Sequence, residues 1–182
     1  MALSTEERAQ LVALARAALE AELNGRPLPA AKDPKGVLAE ARGCFVTLTH
    51  GGELRGCIGT FHPDGTLAET LPRIAAEAAR DSRFLMNPVT AEELPRLTVE
   101  VSVLSPLSPM RNLGELQLGT HGIYVVSRRR AGCFLPEVAT DMGWTAEQFL
   151  DECCRGKAGL PPGAWRQRGT QVFLFTSEKF GE

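Results

Sequence analysis

The chain has 182 residues, 43% of them hydrophobic, and a formal charge of −2 from 20 basic and 22 acidic side chains. This length suits one domain, or two small lobes that share a core. The balanced charge gives no reason to expect nucleic acid or an anionic membrane as a partner, so we predict a globular protein that binds neither.

The N-terminus lacks the basic start and apolar core of a signal peptide, and no stretch reaches the ~20 apolar residues of a transmembrane helix. The five cysteines are an odd number and are scattered along the chain. This usage favours free thiols over a disulfide framework, and it predicts a reducing, cytoplasmic location.

Helix and strand signals are mixed along the chain. Ser4, Thr90 and Thr145 each precede a Glu or Gln by three residues, which is the capping-box pattern of a helix start. Because tight turns join most neighbouring strands, we predict an α+β fold with mixed, largely antiparallel sheets flanked by helices. In chain order the predicted elements are a helix from Ser4 to Asn24, a proline-rich connector at 26–36, a hairpin at 43–61, a helix at 66–84, a short helix at 90–95, a strand at 96–106, a hairpin at 122–135, a helix at 145–159 and a strand at 170–180.

The second strand of the first hairpin holds the main candidate residues, Arg55 and Cys57, among glycines. With a two-residue Gly51-Gly52 turn, Leu48 faces Arg55 and Val46 faces Cys57. Arg55 and Cys57 then share a face, ~6–7 Å apart. The guanidinium would lower the pKa of the thiol, whereas the two apolar neighbours would raise it. A reactive thiol and a buried structural thiol both remain open.

Three other charged positions are candidates for the site or its surroundings. Asp81 follows a helix, where the dipole disfavours a carboxylate, so we expect Arg83 or Arg55 to pair with it. Glu100 lies on the polar face of its strand and either meets solvent or lines a cleft. The basic run Arg128–Arg130 is interpreted as a solvated hairpin tip rather than a phosphate-binding patch.

Motifs for metals, nucleotides and serine hydrolases do not occur in the sequence. The three histidines are isolated, and there is no C-x-x-C, P-loop, G-x-G-x-x-G or G-x-S-x-G. No metal site is therefore predicted, and no cofactor is specified.

Six segments, in order and spread over nearly the whole chain, resemble the AMMECR domain family, named after the AMME-syndrome candidate protein. The resemblance implies a single AMMECR domain over residues 1–182, with an α+β fold in two lobes and a cleft between them. It places the signature hexapeptide near that cleft. Asp81, Arg83 and Glu100, singled out above from their own places in the sequence, are candidates for lining or supporting it. The six segments are LRGCIGTF, RDSRF, EELPRLTVEVSVLSP, HGIYV, FLPEVATDMGW and AGLPPGAW, and the signature residues are Leu54, Arg55, Gly56, Cys57, Ile58 and Gly59.

Prokaryotic members of this family are protein A of the AmmeMemoRadiSam system, and they are commonly encoded beside a Memo-like protein and a radical-SAM protein. The resemblance supplies no established reaction and no accepted catalytic residues. Where members often carry L-P-Q-V, this chain has Glu137, which cannot donate a hydrogen bond while it is ionised.

Three functions are compatible with these residues. The first is an enzyme in a small-molecule modification pathway shared with the Memo-like and radical-SAM proteins, with Cys57 as nucleophile, Arg55 as its activating or anion-binding partner, and flanking glycines that admit substrate to the backbone. The second is a non-catalytic scaffold or carrier that docks on the Memo-like protein. The third, weaker alternative is metal or redox handling by Cys57 with a histidine close in space.

Overall fold

The computed structural model describes residues 2–31 and 33–182. The chain divides into two compact units, of which the first comprises the described residues up to Leu104 together with Glu178–Glu182, and the second comprises Ser105–Ser177. Each unit combines helices with a four-stranded sheet, so the α+β prediction is confirmed. Within the described residues, no helix has both the length and the apolar character needed to cross a bilayer.

The helices and strands follow the predicted order, with two additions. The helices are α1 Thr5–Leu23, α2 Leu67–Ala79, α3 Pro136–Asp141 and α4 Ala146–Gly156, and the strands are β1 Cys44–His50, β2 Glu53–Thr60, β3 Leu97–Leu104, β4 Ser108–Pro109, β5 Gly122–Ser127, β6 Arg130–Phe134, β7 Thr170–Phe175 and β8 Ser177–Gly181. The sequence did not predict α3 or β4.

The first unit is built on a sheet with strand order β2-β1-β3-β8. One face of this sheet carries alternate residues of β1 and β3, and they are buried together with the apolar sides of α1 and α2. Removing such large aliphatic side chains from water contributes ~1.5–3 kcal/mol each. The core is represented by Val46, Leu48, Val99, Val101, Leu11, Leu19 and Leu71, all at 0% exposure.

The second unit has a sheet with strand order β4-β7-β5-β6, packed against α4. Cys153 and Cys154 are fully buried in this core, as their place in the apolar stripe of the helix predicts. The ring of Phe134 stacks on that of Phe149, with centroids 5.7 Å apart. These contacts hold α4 on its sheet.

Two of the three predicted capping boxes form. The Ser4 and Thr145 side chains accept hydrogen bonds from the backbone N–H groups of Glu7 and Gln148, and both boxes are complete. Thr90 makes no such bond, and the segment that follows, Ala91–Arg96, is a 3-10 helix. The Glu93 carboxylate still accepts from the Thr90 backbone, but it also accepts two hydrogen bonds from Arg55.

The predicted helix over 66–84 ends at Ala79. Asp81 adopts a non-helical backbone conformation. Its side chain accepts a hydrogen bond from the N–H of Arg83, and this bond caps the start of the 3-10 helix Ser82–Phe84. Pro72 lies inside α2, at its sixth residue, and not in the first turn. Asp81 therefore caps the 3-10 helix that follows α2. This hydrogen bond offsets the unfavourable interaction of its carboxylate with the C-terminal end of the α2 dipole.

The strand predicted over 170–180 is two strands. It is interrupted at Thr176, and the residues before and after the break belong to different sheets. The apolar run at 172–175 is followed directly by the polar run at 176–179, and no Gly or Pro stands between them, so the sequence carries no turn signal at the break.

Candidate functional site

The hairpin of β1 and β2 contains a register shift at Arg55. Thr49 pairs with Leu54 as predicted, but Leu48 pairs with Gly56, so Arg55 is an extra residue on β2. The predicted pairs Leu48–Arg55 and Val46–Cys57 are therefore wrong. A bulge of this kind leaves one residue without a partner and moves every later residue by one position.

Because of this shift, Cys57 lies beside Thr47 and not among core residues. Thr47 pairs with Cys57 on one side and with Glu100 on the other, so the three residues form a row across the sheet. The Thr47 Oγ1 and Cys57 Sγ atoms are 3.3 Å apart, and the thiol is partly exposed. The Thr47 hydroxyl thus donates to the sulfur and fixes the direction in which the Cys57 side chain points.

The space beside Gly56 and Gly59, where a side chain would lie, is filled by other residues of the protein and not open to a ligand. A Cβ atom on Gly56 would lie 2.1 Å from the carbonyl oxygen of Ala78, and one on Gly59 would lie 2.2 Å from the Phe45 ring. Gly56 thus lets α2 pack closely against β2. The expectation that these glycines open the backbone to substrate is wrong, because that space is already occupied.

Asp81 and Arg83 bind the backbone of Cys57. The N–H of Cys57 donates to Asp81 Oδ2 at 2.9 Å, and Arg83 Nη2 donates to the Cys57 carbonyl at 3.1 Å. β2 is an edge strand, so these side chains take the place of a further strand at this residue. They also bind each other, with Arg83 Nε 3.0 Å from Asp81 Oδ1.

The Asp81 carboxylate is only 2% exposed. Its pKa lies well below the usual range, chiefly because the Arg83 side chain donates to it, with further hydrogen bonds from the backbone N–H groups of Cys57 and Arg83. The pairing of Asp81 with an arginine, expected from the sequence, is thus with Arg83 and not with Arg55.

Arg55 is held away from the thiol by the segment 87–93. Its Nε and Nη2 atoms each donate to the Glu93 carboxylate at 2.9 Å, and Nη1 donates to the Asn87 carbonyl at 3.1 Å. This bidentate pair raises the pKa of Arg55 and lowers that of Glu93. The arginine that contacts Cys57 is Arg83, through the Cys57 carbonyl, and its own pKa is raised chiefly by the hydrogen bond to Asp81.

The Arg55–Glu93 pair lies in the wall of a groove of about 440 Å³. His50 also lines it, with Nδ1 3.8 Å from Glu93 Oε2. The groove thus offers a guanidinium, a carboxylate and an imidazole. Its lining consists of His50, Glu53, Leu54, Arg55, Phe84, Asn87 and Glu93, and does not include Cys57.

The remaining candidates have separate surroundings. Leu54 is exposed at the groove, whereas Ile58 packs against the core of the first unit. Glu100 forms an ion pair with Lys179 at 3.4 Å, and both side chains are more than a third exposed. Ile58 is therefore a packing residue. Glu100 lies in the same row across the sheet as Cys57, but its side chain pairs with Lys179.

All five cysteines are free thiols, as their odd number and scatter predict. Cys44, Cys153 and Cys154 are buried, and burial raises the pKa of each, that of Cys44 to about 12. Cys57 and Cys133 are partly exposed. Across residues 2–31 and 33–182, no group of three or more His, Cys, Asp or Glu side chains is placed to hold a metal ion.

Sequence reasoning missed Thr47 and Glu93. Thr47 reaches the thiol only because of the bulge, which the sequence does not reveal. Glu93 was assigned to a capping box with Thr90, and that pattern gives no signal for a partner 38 residues away.

Comparison with known proteins identifies the family. The AMMECR1 family model matches residues 12–180. This chain belongs to the AMMECR1 family. Similar proteins include one from Methanothermobacter thermautotrophicus, 40% identical over 99% of this chain and 96% of its own length, and protein MJ0810 from Methanocaldococcus jannaschii, 38% identical over 99% and 92%.

The AMMECR1 fold is also present in a crystal structure, that of the uncharacterised protein PH0010 from Pyrococcus horikoshii. It is 38% identical in sequence, with a TM-score of 0.88 over 99% of this chain and 93% of that one. The fold is thus shared along almost the entire length, and the similarity adds no activity.

Proposed function

We propose that this AMMECR1-family protein is an enzyme of a small-molecule modification pathway in the cytoplasm, and that Cys57 is its nucleophile. One observation carries the proposal: a partly exposed thiol lies 3.3 Å from the Thr47 hydroxyl, while Arg83 and Asp81 hold both backbone groups of the same residue. A nucleophile fixed in this way has a defined direction of attack.

The reaction class is transfer of a carbon group through a covalent S–C intermediate on Cys57. The Cys57 thiol releases its proton to water, and the thiolate attacks an electrophilic carbon of the substrate. The S–C bond forms as the bond from carbon to the leaving group breaks, and the leaving group keeps the bonding electrons and takes a proton from water. The Thr47 hydroxyl orients the sulfur for this attack, and Arg83 holds the Cys57 backbone. A second nucleophile, water or an acceptor substrate, afterwards attacks the same carbon; the S–C bond breaks, and the sulfur keeps the bonding electrons and takes back a proton.

The pathway partners in this proposal are a Memo-like protein and a radical-SAM protein. The support for them is the resemblance of the signature and the following segments to prokaryotic members encoded beside such proteins. The free thiols support the cytoplasmic location, because isolated cysteines persist in reducing compartments.

The test is a metabolite comparison between a strain that lacks the protein and strains complemented with wild type, Cys57→Ser or Cys133→Ser. Cys133 is the other partly exposed thiol and is the matched control. We expect wild type and Cys133→Ser to restore the same compound and Cys57→Ser to fail, at equal protein levels. Restoration by Cys57→Ser would refute a nucleophilic role.

The second candidate is a scaffold that docks on the Memo-like protein. It is favoured by two exposed apolar side chains directly after Arg83 and Phe84: Leu85 is 68% exposed and Met86 is 99% exposed. Exposed apolar residues beside each other are typical of contact sites.

For this candidate, binding of the purified Memo-like protein is measured for Leu85→Ser/Met86→Ser and for Cys57→Ser. A scaffold predicts that the first variant loses binding and that Cys57→Ser restores the metabolite. The enzyme proposal predicts that Cys57→Ser keeps binding and loses the metabolite.

A further inference from the structure

The second unit contains a strongly basic groove that the Cys57 site does not involve. It has a volume of about 590 Å³ and brings together the β5–β6 hairpin tip, with Arg128, Arg129 and Arg130, and the turn before β7, with Arg168. Gln167 and Thr170 add polar groups, and no acidic residue lines the groove. The arginine run and Arg168 are about forty residues apart in sequence, and the fold brings their side chains together at one groove.

The two loops that form the groove are fixed to each other. Ser127 and Thr170 are paired residues of neighbouring strands, and Ser127 Oγ donates to the Gly169 carbonyl at 3.4 Å. Arg130 Nη1 donates to the Gly159 carbonyl. The backbone that carries the four arginines is thus held in place before any ligand binds.

The charges of these arginines are not neutralised locally. Of the ion pairs among residues 2–31 and 33–182, none involves Arg128, Arg129, Arg130 or Arg168. Arg128 has a φ of 55°, in the left-handed region that favours glycine. Four like charges in one groove repel each other, and an anion between them removes that repulsion.

We propose that this groove binds the phosphate groups of a small phosphorylated metabolite. Guanidinium groups bind phosphate oxygens through two parallel N–H donors, and several of them around one concavity favour a multiply charged anion. The volume lies within the range of small-molecule sites and exceeds what a single phosphate ion fills. The sequence-based interpretation of Arg128–Arg130 as a solvated tip did not include Arg168.

The experiment uses inorganic pyrophosphate as the probe, with inorganic phosphate and sodium chloride at matched ionic strength, measured by isothermal titration calorimetry. We expect saturable binding of pyrophosphate, tighter than that of phosphate, by the wild-type chain. Arg129→Ser/Arg168→Ser is expected to raise the Kd at least about tenfold, because each lost charged hydrogen bond is of that order.

The matched control is Arg26→Ser/Arg96→Ser, which removes the same charge from exposed positions of the first unit. We expect its Kd to stay within about twofold of wild type, since distant exposed charges are screened. Equal weakening in both double variants would show a net-charge effect and would overturn the proposal, as would the absence of saturable binding.

A single-stranded RNA of about ten nucleotides is the third ligand. Binding tighter than that of pyrophosphate and lost in Arg129→Ser/Arg168→Ser would replace the metabolite with nucleic acid and overturn the proposal. Circular dichroism and thermal unfolding of both double variants check that the fold is retained. None of these outcomes bears on Cys57, so failure here is distinct from failure of the proposed function.

Discussion

The backbone N–H of Cys57 donates to the Asp81 carboxylate at 2.9 Å. The two residues are 24 positions apart, and the bond joins the edge strand of the sheet to the segment after α2. Asp81 thus positions the strand that carries the thiol. Its effect on the chemistry is through the Cys57 backbone and through Arg83.

We predict that Asp81→Asn lowers the free energy of unfolding by ~2 kcal/mol at pH 7, because an uncharged amide replaces the buried carboxylate that accepts from Arg83 and from the Cys57 N–H. The folded-state pKa of Asp81 is below its unfolded value. Its contribution to the free energy of unfolding is therefore fully present above about pH 4 and is lost as the pH falls from there through the folded-state pKa. Urea unfolding of both proteins at pH 7 and pH 3 measures this.

The control for Asp81→Asn is Asp64→Asn. The Asp64 side chain is 89% exposed, and its one ion pair, with Arg73, is long at 3.8 Å. It should change stability little at either pH. A difference between wild type and Asp81→Asn that is the same at pH 7 and pH 3 would contradict the depressed pKa.

The second prediction separates the two arginines of the site. Arg83→Leu should slow alkylation of Cys57 by iodoacetamide at pH 7.5 about threefold, the size expected of a half-exposed charge. Arg55→Leu should have a smaller effect, because the Arg55 guanidinium is bound to Glu93. Peptide mass spectrometry over time gives the rate at Cys57, with Cys133 as internal reference. A larger effect for Arg55→Leu would place the activating charge at Arg55.

Arg55 and Glu93 should be strongly coupled in stability. Removing one partner leaves a mostly buried charge unpaired, so Arg55→Met and Glu93→Gln should each cost ~2–4 kcal/mol. The double variant should cost less than the sum of the two, by at least ~1 kcal/mol. A double-mutant cycle from chemical unfolding measures this coupling, and additive costs would mean that the pair contributes nothing specific.

Gly56→Ala should destabilise the protein by ~2–4 kcal/mol, because the new methyl group meets the Ala78 carbonyl and α2 must move away from β2. Gly156→Ala is the matched change, since a Cβ at that helical position meets nothing within 4 Å. It should be neutral or stabilising by up to ~1 kcal/mol. Equal unfolding midpoints for the two variants would argue against the close packing at Gly56.

Local signals located α1, α2, α4 and both hairpins, whereas contacts across the chain decided the register of the first hairpin and the surroundings of Cys57. The Ser4 and Thr145 caps need only residues three positions away, so the sequence predicts them. The bulge at Arg55 depends on a helix carbonyl and on a carboxylate 38 residues away, and no nearby residue encodes either. One extra residue then changed which face Cys57 occupies.

The sequence did not predict the break at Thr176 for a similar reason. No Gly or Pro separates the two halves of the segment, and they differ in their partners, since β7 pairs with β5 and β8 lies beside β3. The motif residues of the resemblance include both Arg55 and Arg83. They did not distinguish Arg83, which binds Cys57, from Arg55, which binds Glu93.

Because β8 follows the whole second unit in the chain, the ribosome makes the last strand of the first sheet only after Ser105–Ser177. Until then β3 is a bare edge, and Arg8 and Arg16 of α1 lack their partners Glu178 and Glu182. An unpaired edge strand is a template for association with other chains. A nascent chain that stalls within the second unit is therefore an aggregation hazard, because its first sheet still lacks the strand that covers β3.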